Sequence, residues 1–328
     1  MIHHLLRRIP VAAATLLLAT LVVYGLLRAM PGEPAALRAD PGDLALSPSA
    51  AAYEEMRREM GLDRHWLLGY GQWLLGLARG DLGKSLTDRA PVTDVIGPRM
   101  GPTLLLAGTS LFLTYLLAIP LGLWCGARPD ALSSRTIGTV LYMLYSLPAF
   151  VAALFLLDLL AVRLDWLPLS GMHGPDEAFN ASSLPGKAWD MALHMVLPVA
   201  CFTYGSLAWH VRFIRANLQD ALRQDYIRTA RAKGLGEMAV VGRHAFRNTL
   251  VPLVTHLGLT LPALLGGSVI LERIFSWPGL GNLLFMKVLE RDHPVIMALV
   301  LLYAVLVIAG NLLADLLYAV VDPRIRTP

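Results

Sequence analysis

Two carboxylates stand inside long apolar runs, where a charged side chain costs about 2.5 to 3.5 kcal/mol on membrane-insertion scales and marks a solute path or a packed polar contact. Asp158 falls toward the outer end of the third such run and Asp315 toward the inner end of the sixth. Asn311 precedes Asp315 by one helical turn on the same face, so the pair could hydrogen-bond to a neighbouring helix. Snorkelling to the interface is the plainer role for Asp158, and a helix-packing contact the plainer one for Asp315. Arg163, five residues beyond Asp158, would sit roughly 140° around an ideal helix, a poor position for pairing.

Other reactive residue types form no catalytic pattern. Gly83-Lys84-Ser85 has the ending of a phosphate-binding loop, but that pattern needs a glycine five residues before Gly83, where Ala78 stands. The nine histidines include no His-Glu-x-x-His, and His194, His210 and His256 stand singly near the ends of apolar runs, as interfacial or packing groups. Gly279-Leu280-Gly281 is followed by Asn282 rather than by the aspartate of an intramembrane protease. Cys125 and Cys201 lie inside apolar stretches and offer neither a disulfide framework nor a metal-binding pair. The chain therefore reads as a non-enzyme, with no catalytic residue, no nucleotide site and no metal ligand.

These residues are carried by a chain of 328 residues that is 55% hydrophobic and 16% charged. A soluble domain holds roughly a quarter charged residues, so this chain would present large apolar patches to water. A bilayer core takes about 20 apolar residues to cross as a helix. Six stretches free of Asp, Glu, Lys and Arg are long enough: Ile9–Leu27, Met100–Ala127, Thr136–Leu157, Met191–Val211, Asn248–Leu271 and His293–Ala314. The next longest, His65–Ala78, has 14 residues rich in Trp, Tyr and Leu, which suits an interfacial or partly buried helix better than a span. Pro120, Pro148, Pro198 and Pro262 fall inside the long runs and predict broken helices. Lipid cannot satisfy the carbonyl each proline frees, so such breaks favour a transporter or channel over a simple anchor. Gly122-x-x-x-Gly126 and Gly266-Gly267 would let helices approach closely.

With the N-terminus inside, the inner segments hold fourteen Lys and Arg and the short outer loops five, so both ends are expected in the cytoplasm. The first run is read as an uncleaved span, because its 19 charge-free residues exceed a signal-peptide core and Met30-Pro31-Gly32-Glu33-Pro34 offers no small-x-small cleavage site. The expected organisation begins with the N-terminus and first transmembrane helix at 1–29 and a periplasmic loop subdomain at 30–99. That loop contains a charged, helix-like stretch at Tyr53–Met60, the aromatics Trp66, Tyr70 and Trp73, and a turn at Gly80–Ser85. A five-helix core at 100–322 follows, including a cytoplasmic loop at 212–249, and then a cytoplasmic tail at 323–328.

The inner loop from Arg212 to Arg247 carries eight basic residues against three acidic ones and is far longer than a connector. Asp225–Lys233 holds no breaker and reads as a short helix, with Tyr226, Ala230 and Lys233 or Gly234 following one another along it. Gly234 and Gly236 end that helix, and a second short one leads toward Arg247. A helix-turn-helix across the membrane face is either a protein-docking element or a positive loop resting on anionic lipid. No aromatic stacking platform accompanies the basic residues, so nucleic acid is not an expected partner.

The string DYIRTARAKGL from Asp225 to Leu235, with RHAFRNTLVP from Arg243 to Pro252, resembles the cytoplasmic loop of binding-protein-dependent ABC importer permeases. More narrowly it is similar to the B-type permease subunit of dipeptide/oligopeptide/nickel importers. Matching strings run along the chain: MPGEP from Met30, GDLGKSL from Gly80, SLPAF from Ser146, LDWLPLSG from Leu164, FSWPGLGNLL from Phe275, RDHPVI from Arg291 and NLLADLLYAVVDPRIR from Asn311. The resemblance implies an all-α membrane protein with six transmembrane helices of the type I ABC importer permease fold, an outer-loop subdomain and a cytoplasmic coupling helix.

It also implies a heterodimer with a sister permease, two cytoplasmic ATP-binding subunits that hold ATP and Mg, and an extracytoplasmic solute-binding protein, all at a bacterial inner membrane. The family's Glu-Ala-Ala-x-x-x-Gly coupling loop maps with Gly234 as its glycine and Ala230 as its second alanine, while Arg228 and Thr229 replace the glutamate and first alanine. ATPase coupling is accordingly expected of Tyr226, Thr229, Ala230, Lys233, Gly234 and Leu235, without a salt bridge from the missing glutamate. Asp315 matches an acidic position in the family's last helix. The implied activity is ATP-driven import of short peptides by alternating access, the permease supplying the path and no chemistry. Nickel complexes or glutathione-like solutes are alternatives within the family, and six spans alone would also allow an ATP-independent channel or membrane scaffold.

Overall fold

A computed structural model describes residues 2–31, 63, 65–265 and 269–321, without the side chains of 2–9, 251, 255, 258–265 and 314–321. The stretch Tyr53–Met60 and the pair Gly266-Gly267 lie outside the described residues. The fold is helical. From the N-terminus run α1 (Ile2–Ala29), α2 (Trp66–Ala78), α3 (Val92–Ala127), α4 (Leu132–Ser146), α5 (Ala149–Leu156), α6 (Asp176–Ala181) and α7 (Leu184–Leu222). There follow α8 (Asp225–Ala232), α9 (Glu237–Ala239), α10 (Phe246–Leu265), α11 (Val269–Ile274), α12 (Leu280–Glu290) and α13 (His293–Val321).

Among the described residues, four helical segments are long and apolar enough to cross a membrane: Pro10–Ala29, Val92–Ala127, Leu184–Leu222 and His293–Leu313. The third expected run is not a straight span. It bends by 92° between α4 and the segment Ala149–Arg163, and makes a fifth crossing if the pair is counted as one. Pro148 sits at the N-cap of α5 with no amide proton to continue the ladder, which places the break there. The other prolines do not break their helices as expected. α3 continues through Pro120, α7 through Pro198, and the backbone of α10 through Pro262. A proline removes one ladder bond, and packing on both sides of it holds the helix together. Pro198 is buried and flanked by the buried Leu197 and Val199. The fifth expected run, Asn248–Leu271, carries the 20-residue α10 and then meets residues outside the description.

The chain divides into two compact units, Met1–Gly101 with Gly279–Ile308, and Pro102–Pro278 with Ala309–Pro328. In the first, Val92 and Ile96 of α3 pack with Leu280 and Leu283 of α12 and Val295 and Leu299 of α13. The turn preceding α3 is fixed to the α12–α13 junction by an ion cluster around the buried Lys287 and Asp292. Lys287, only 5% exposed in its side chain, places Nζ 2.6 Å from Asp88 and 2.7 Å from Glu290. It also donates to Thr87 Oγ1, while the buried Asp292 carboxylate accepts from Ser85 Oγ and from Thr87 N. In the second unit, α3 and α7 come into close contact. A Cβ on Gly122 would stand 2.7 Å from Ile214 Cβ, and one on Gly126 would stand 2.8 Å from a Leu218 methyl, so the Gly-x-x-x-Gly pair is used for packing. Trp277, fully buried against Leu106 and Val199, donates its indole proton to Pro102 O at 3.0 Å.

Candidate coupling surface

α7 begins at a proper cap, Ser183 accepting from Gly186 N, and extends without interruption to Leu222. It therefore includes the first eleven residues of what the sequence suggested was a loop. The extended backbone of Gln224 then turns the chain, and Asp225 opens α8 with a negative charge at the helix N-terminus. The helix is short and polar, so tertiary contacts have to hold it. Ile227 and Ala230 supply them, buried with Leu218 and Ala221 of α7 and with Val240 and Ala245 beyond the turn.

Gly234 ends α8 in the left-handed region at φ 79°, donating to Arg231 O at 2.9 Å, and Leu235 N bonds back to Ala230 O at 3.4 Å. Nothing stands within 4 Å of where a Cβ on Gly234 would be, so its glycine is required by backbone conformation and not by space. The Arg231 guanidinium donates to both carboxylate oxygens of Glu237, closing the turn between α8 and α9. That bond holds the Glu237 carboxyl below its ordinary range and raises the Arg231 guanidinium further. Val240–Ala245 then form a π-helical turn into α10.

Of the six residues expected to couple, Tyr226, Thr229, Lys233, Gly234 and Leu235 are exposed, whereas Ala230 is buried and acts as the packing contact behind them. Sequence reasoning passed over Met238, which is 90% exposed on α9. Its signal was a large apolar residue in a loop otherwise dominated by charge. Tyr226, Leu235 and Met238 thus present apolar side chains to solvent from a turn that Gly234 allows and the Arg231–Glu237 pair closes.

The remaining candidates are separate from this turn. Asp158 lies in the π-helical stretch Leu157–Arg163 and pairs with Arg163, contrary to the geometry expected of an ideal helix. Asn311 is exposed on α13, and the side chain of Asp315 lies outside those described. His210 is buried, with Nδ1 2.8 Å from Ser206 O and its ring edge-on to Tyr115, while His256 packs against Trp209. An open cleft of about 340 Å³ is lined by Tyr142, Tyr145, Trp209, Phe213 and Arg212. Sequence spacing did not reveal this grouping.

The family model described as "Binding-protein-dependent transport system inner membrane component" matches residues 118–327, and the corresponding N-terminal model matches residues 1–107. The chain is 37% identical over 327 residues to the oligopeptide transport system permease protein AppB of Bacillus subtilis, covering 99% of this chain and 100% of that one. It is 35% identical over 330 residues to the glutathione transport system permease protein GsiC of Escherichia coli K12, covering 99% of each. Among solved structures, inward-facing MetNI, a methionine ABC transporter, aligns with TM-score 0.54 and 18% identity, over 70% of this chain and 96% of that one. The fold is that of a type I ABC importer permease.

Proposed function

The chain belongs to the family of binding-protein-dependent transport system inner membrane components, and from that premise we propose that it is the permease subunit of an ATP-driven importer of short peptides. It pairs with a sister permease, receives solute from an extracytoplasmic binding protein, and is driven by two cytoplasmic subunits that bind ATP with Mg. Its own residues hold the path and perform no hydrolysis. Both termini lie in the cytoplasm, a reading that the excess of Lys and Arg in the inner segments supports. The domain organisation is a first span at 1–29, an outer loop at 30–99, a core at 100–322 with its inner loop, and a tail at 323–328. A glutathione-like solute is the nearest alternative, since several relatives carry that name and glutathione is itself a short peptide.

The observation that carries this reading is the exposed apolar trio Tyr226, Leu235 and Met238 on a turn whose inward face is packed on α7. A nucleotide-driven subunit docking there moves α8 as a rigid piece, and Ile227 and Ala230 pass the motion to α7, opening the path alternately to each side. The test is co-purification of this chain, expressed with its genomic neighbours, comparing wild type with Leu235→Asp and Met238→Asp. Loss of the ATPase with unchanged membrane insertion, together with lost uptake of labelled di- and tripeptides, is the expected result. Absence of any ATPase from the wild-type preparation overturns the importer reading in favour of a channel.

A further inference from the structure

The helix α2 has no Asp, Glu, Lys or Arg along its length, yet at 13 residues it is too short to cross a bilayer. Its position is fixed by α1. The Tyr70 hydroxyl, on a buried side chain, donates to Leu17 O at 3.0 Å and stands 3.0 Å from Thr20 Oγ1, in the middle of the span Pro10–Ala29. Higher on α1, the Trp66 ring lies 3.7 Å from the site of a Cβ on Gly25, Gly69 abuts Tyr24, and Trp73 packs into the cluster of Leu27, Val23 and Tyr24. At 1.5 Å per residue, Tyr24 to Leu27 lie only about 3 to 8 Å along the axis from Ala29. The backbone of α2 therefore runs beside the last turns of a transmembrane helix, and its phenol reaches down to the helix centre.

The face of α2 turned away from these contacts carries Leu68 and Leu75, 65% and 62% exposed, with Gln72 between them. The span beside it shows a parallel stripe of exposed Leu18, Val22 and Leu26 at four-residue spacing. That stripe belongs to a helix long and apolar enough to cross a membrane, and only 11% of its apolar window is buried inside the protein. An apolar face held at the same level meets the same medium as the span. We propose that α2 lies immersed in the leaflet at the Ala29 end of α1, the outer one in the orientation given above. Leu68 and Leu75 face acyl chains there, and Tyr70 fastens the helix to the first span. This surface takes membrane lipid, and it does so whatever solute the transporter carries.

The experiment uses the full chain with its partner subunits in nanodiscs of phosphatidylcholine and phosphatidylglycerol, in a Cys125→Ala, Cys201→Ala background. Spin labels at Leu68→Cys and Leu75→Cys are compared with Val22→Cys, on the lipid-facing stripe, and Lys84→Cys, exposed in the following turn. Collision with oxygen relative to a water-soluble nickel chelate is expected to match Val22 at both α2 positions and to exceed the Lys84 value several-fold. Nickel access at Leu68 and Leu75 equal to that at Lys84 overturns the proposal and makes the face a water-exposed surface. Exclusion of both probes that is relieved when the sister subunit is omitted overturns it equally and makes the face a subunit contact.

Discussion

Arg163 Nε donates to an Asp158 carboxylate oxygen at 2.8 Å, across a five-residue spacing that an α-helix would place on different faces. The pairing exists because Leu157–Arg163 is π-helical, and a ladder of i to i+5 bonds stacks residues five apart. Both side chains are largely exposed, Arg163 at 71% and Asp158 at 49%. An exposed pair contributes up to about 1 kcal/mol. Asp158→Asn is therefore expected to shift the unfolding midpoint little and to leave peptide uptake at the wild-type level. A large loss of uptake with an unchanged midpoint would instead place Asp158 on the solute path.

Gly234→Ala is expected to strain the end of α8 by about 1–2 kcal/mol, the cost of a left-handed conformation for a residue with a Cβ. No neighbour stands close enough for a methyl group to clash. Gly234→Asn should therefore recover most of the loss, because asparagine tolerates that region. Thermal unfolding in detergent and co-purification of the ATPase measure the two effects. Equal losses from Ala and Asn would point to a docking clash and away from backbone strain.

Gly122→Ala should destabilise the α3–α7 contact by about 1–3 kcal/mol, the usual cost of overpacking, since the new Cβ meets Ile214 at 2.7 Å. Adding Ile214→Gly removes both the Cβ and the methyl that the new group would meet, so the double variant should be more stable than additivity allows. A double-mutant cycle on thermal unfolding reads the coupling directly, and strict additivity would show that the helices separate to accommodate the methyl.

The cluster around Lys287 predicts a wide plateau of stability with pH. The hydrogen bond from Lys287 holds the Asp88 carboxyl below its ordinary value of 3.8, so its contribution is present above that pH and is lost as pH falls further. Burial alone would depress the Lys287 ammonium, but its bonds to Asp88 and Glu290 outweigh that and raise it above its ordinary 10.5. Its contribution is thus complete below that pH and disappears as pH rises past it. Lys287→Met removes the cation from the buried Asp292 and from Asp88 and Glu290, which are 45% and 30% exposed, and should cost about 1–3 kcal/mol, chiefly through Asp292. The Met variant should also become more stable, relative to wild type, as acid protonates those carboxylates. Unfolding midpoints measured from pH 3 to 11 for both proteins check the sign.

The sequence by itself determined the long apolar runs as helical and their class as membrane-spanning. A charge-free run of about 20 residues has to be helical at membrane depth, because the backbone finds no other partner for its polar groups, and this holds whatever packs beside it. It also determined where α8 begins and stops, since Asp225 and the left-handed Gly234 act within one turn of themselves. The motif strings carried the family for the same local reason, as short contiguous segments that keep their residues together.

Only the tertiary structure decided which side of α8 faces inward. Charged residues surround that eight-residue helix, and burial of Ile227 and Ala230 follows from where α7 and the π-turn lie. It decided likewise that Pro148 bends its run while Pro120 and Pro198 do not, because neighbouring helices determine whether a missing ladder bond ends a helix. The Lys287 cluster joins residues about 200 positions apart, and no local spacing encodes that meeting. A helix's existence is settled by its own backbone bonds, whereas the direction a side chain faces is settled by whatever distant segment comes to cover it.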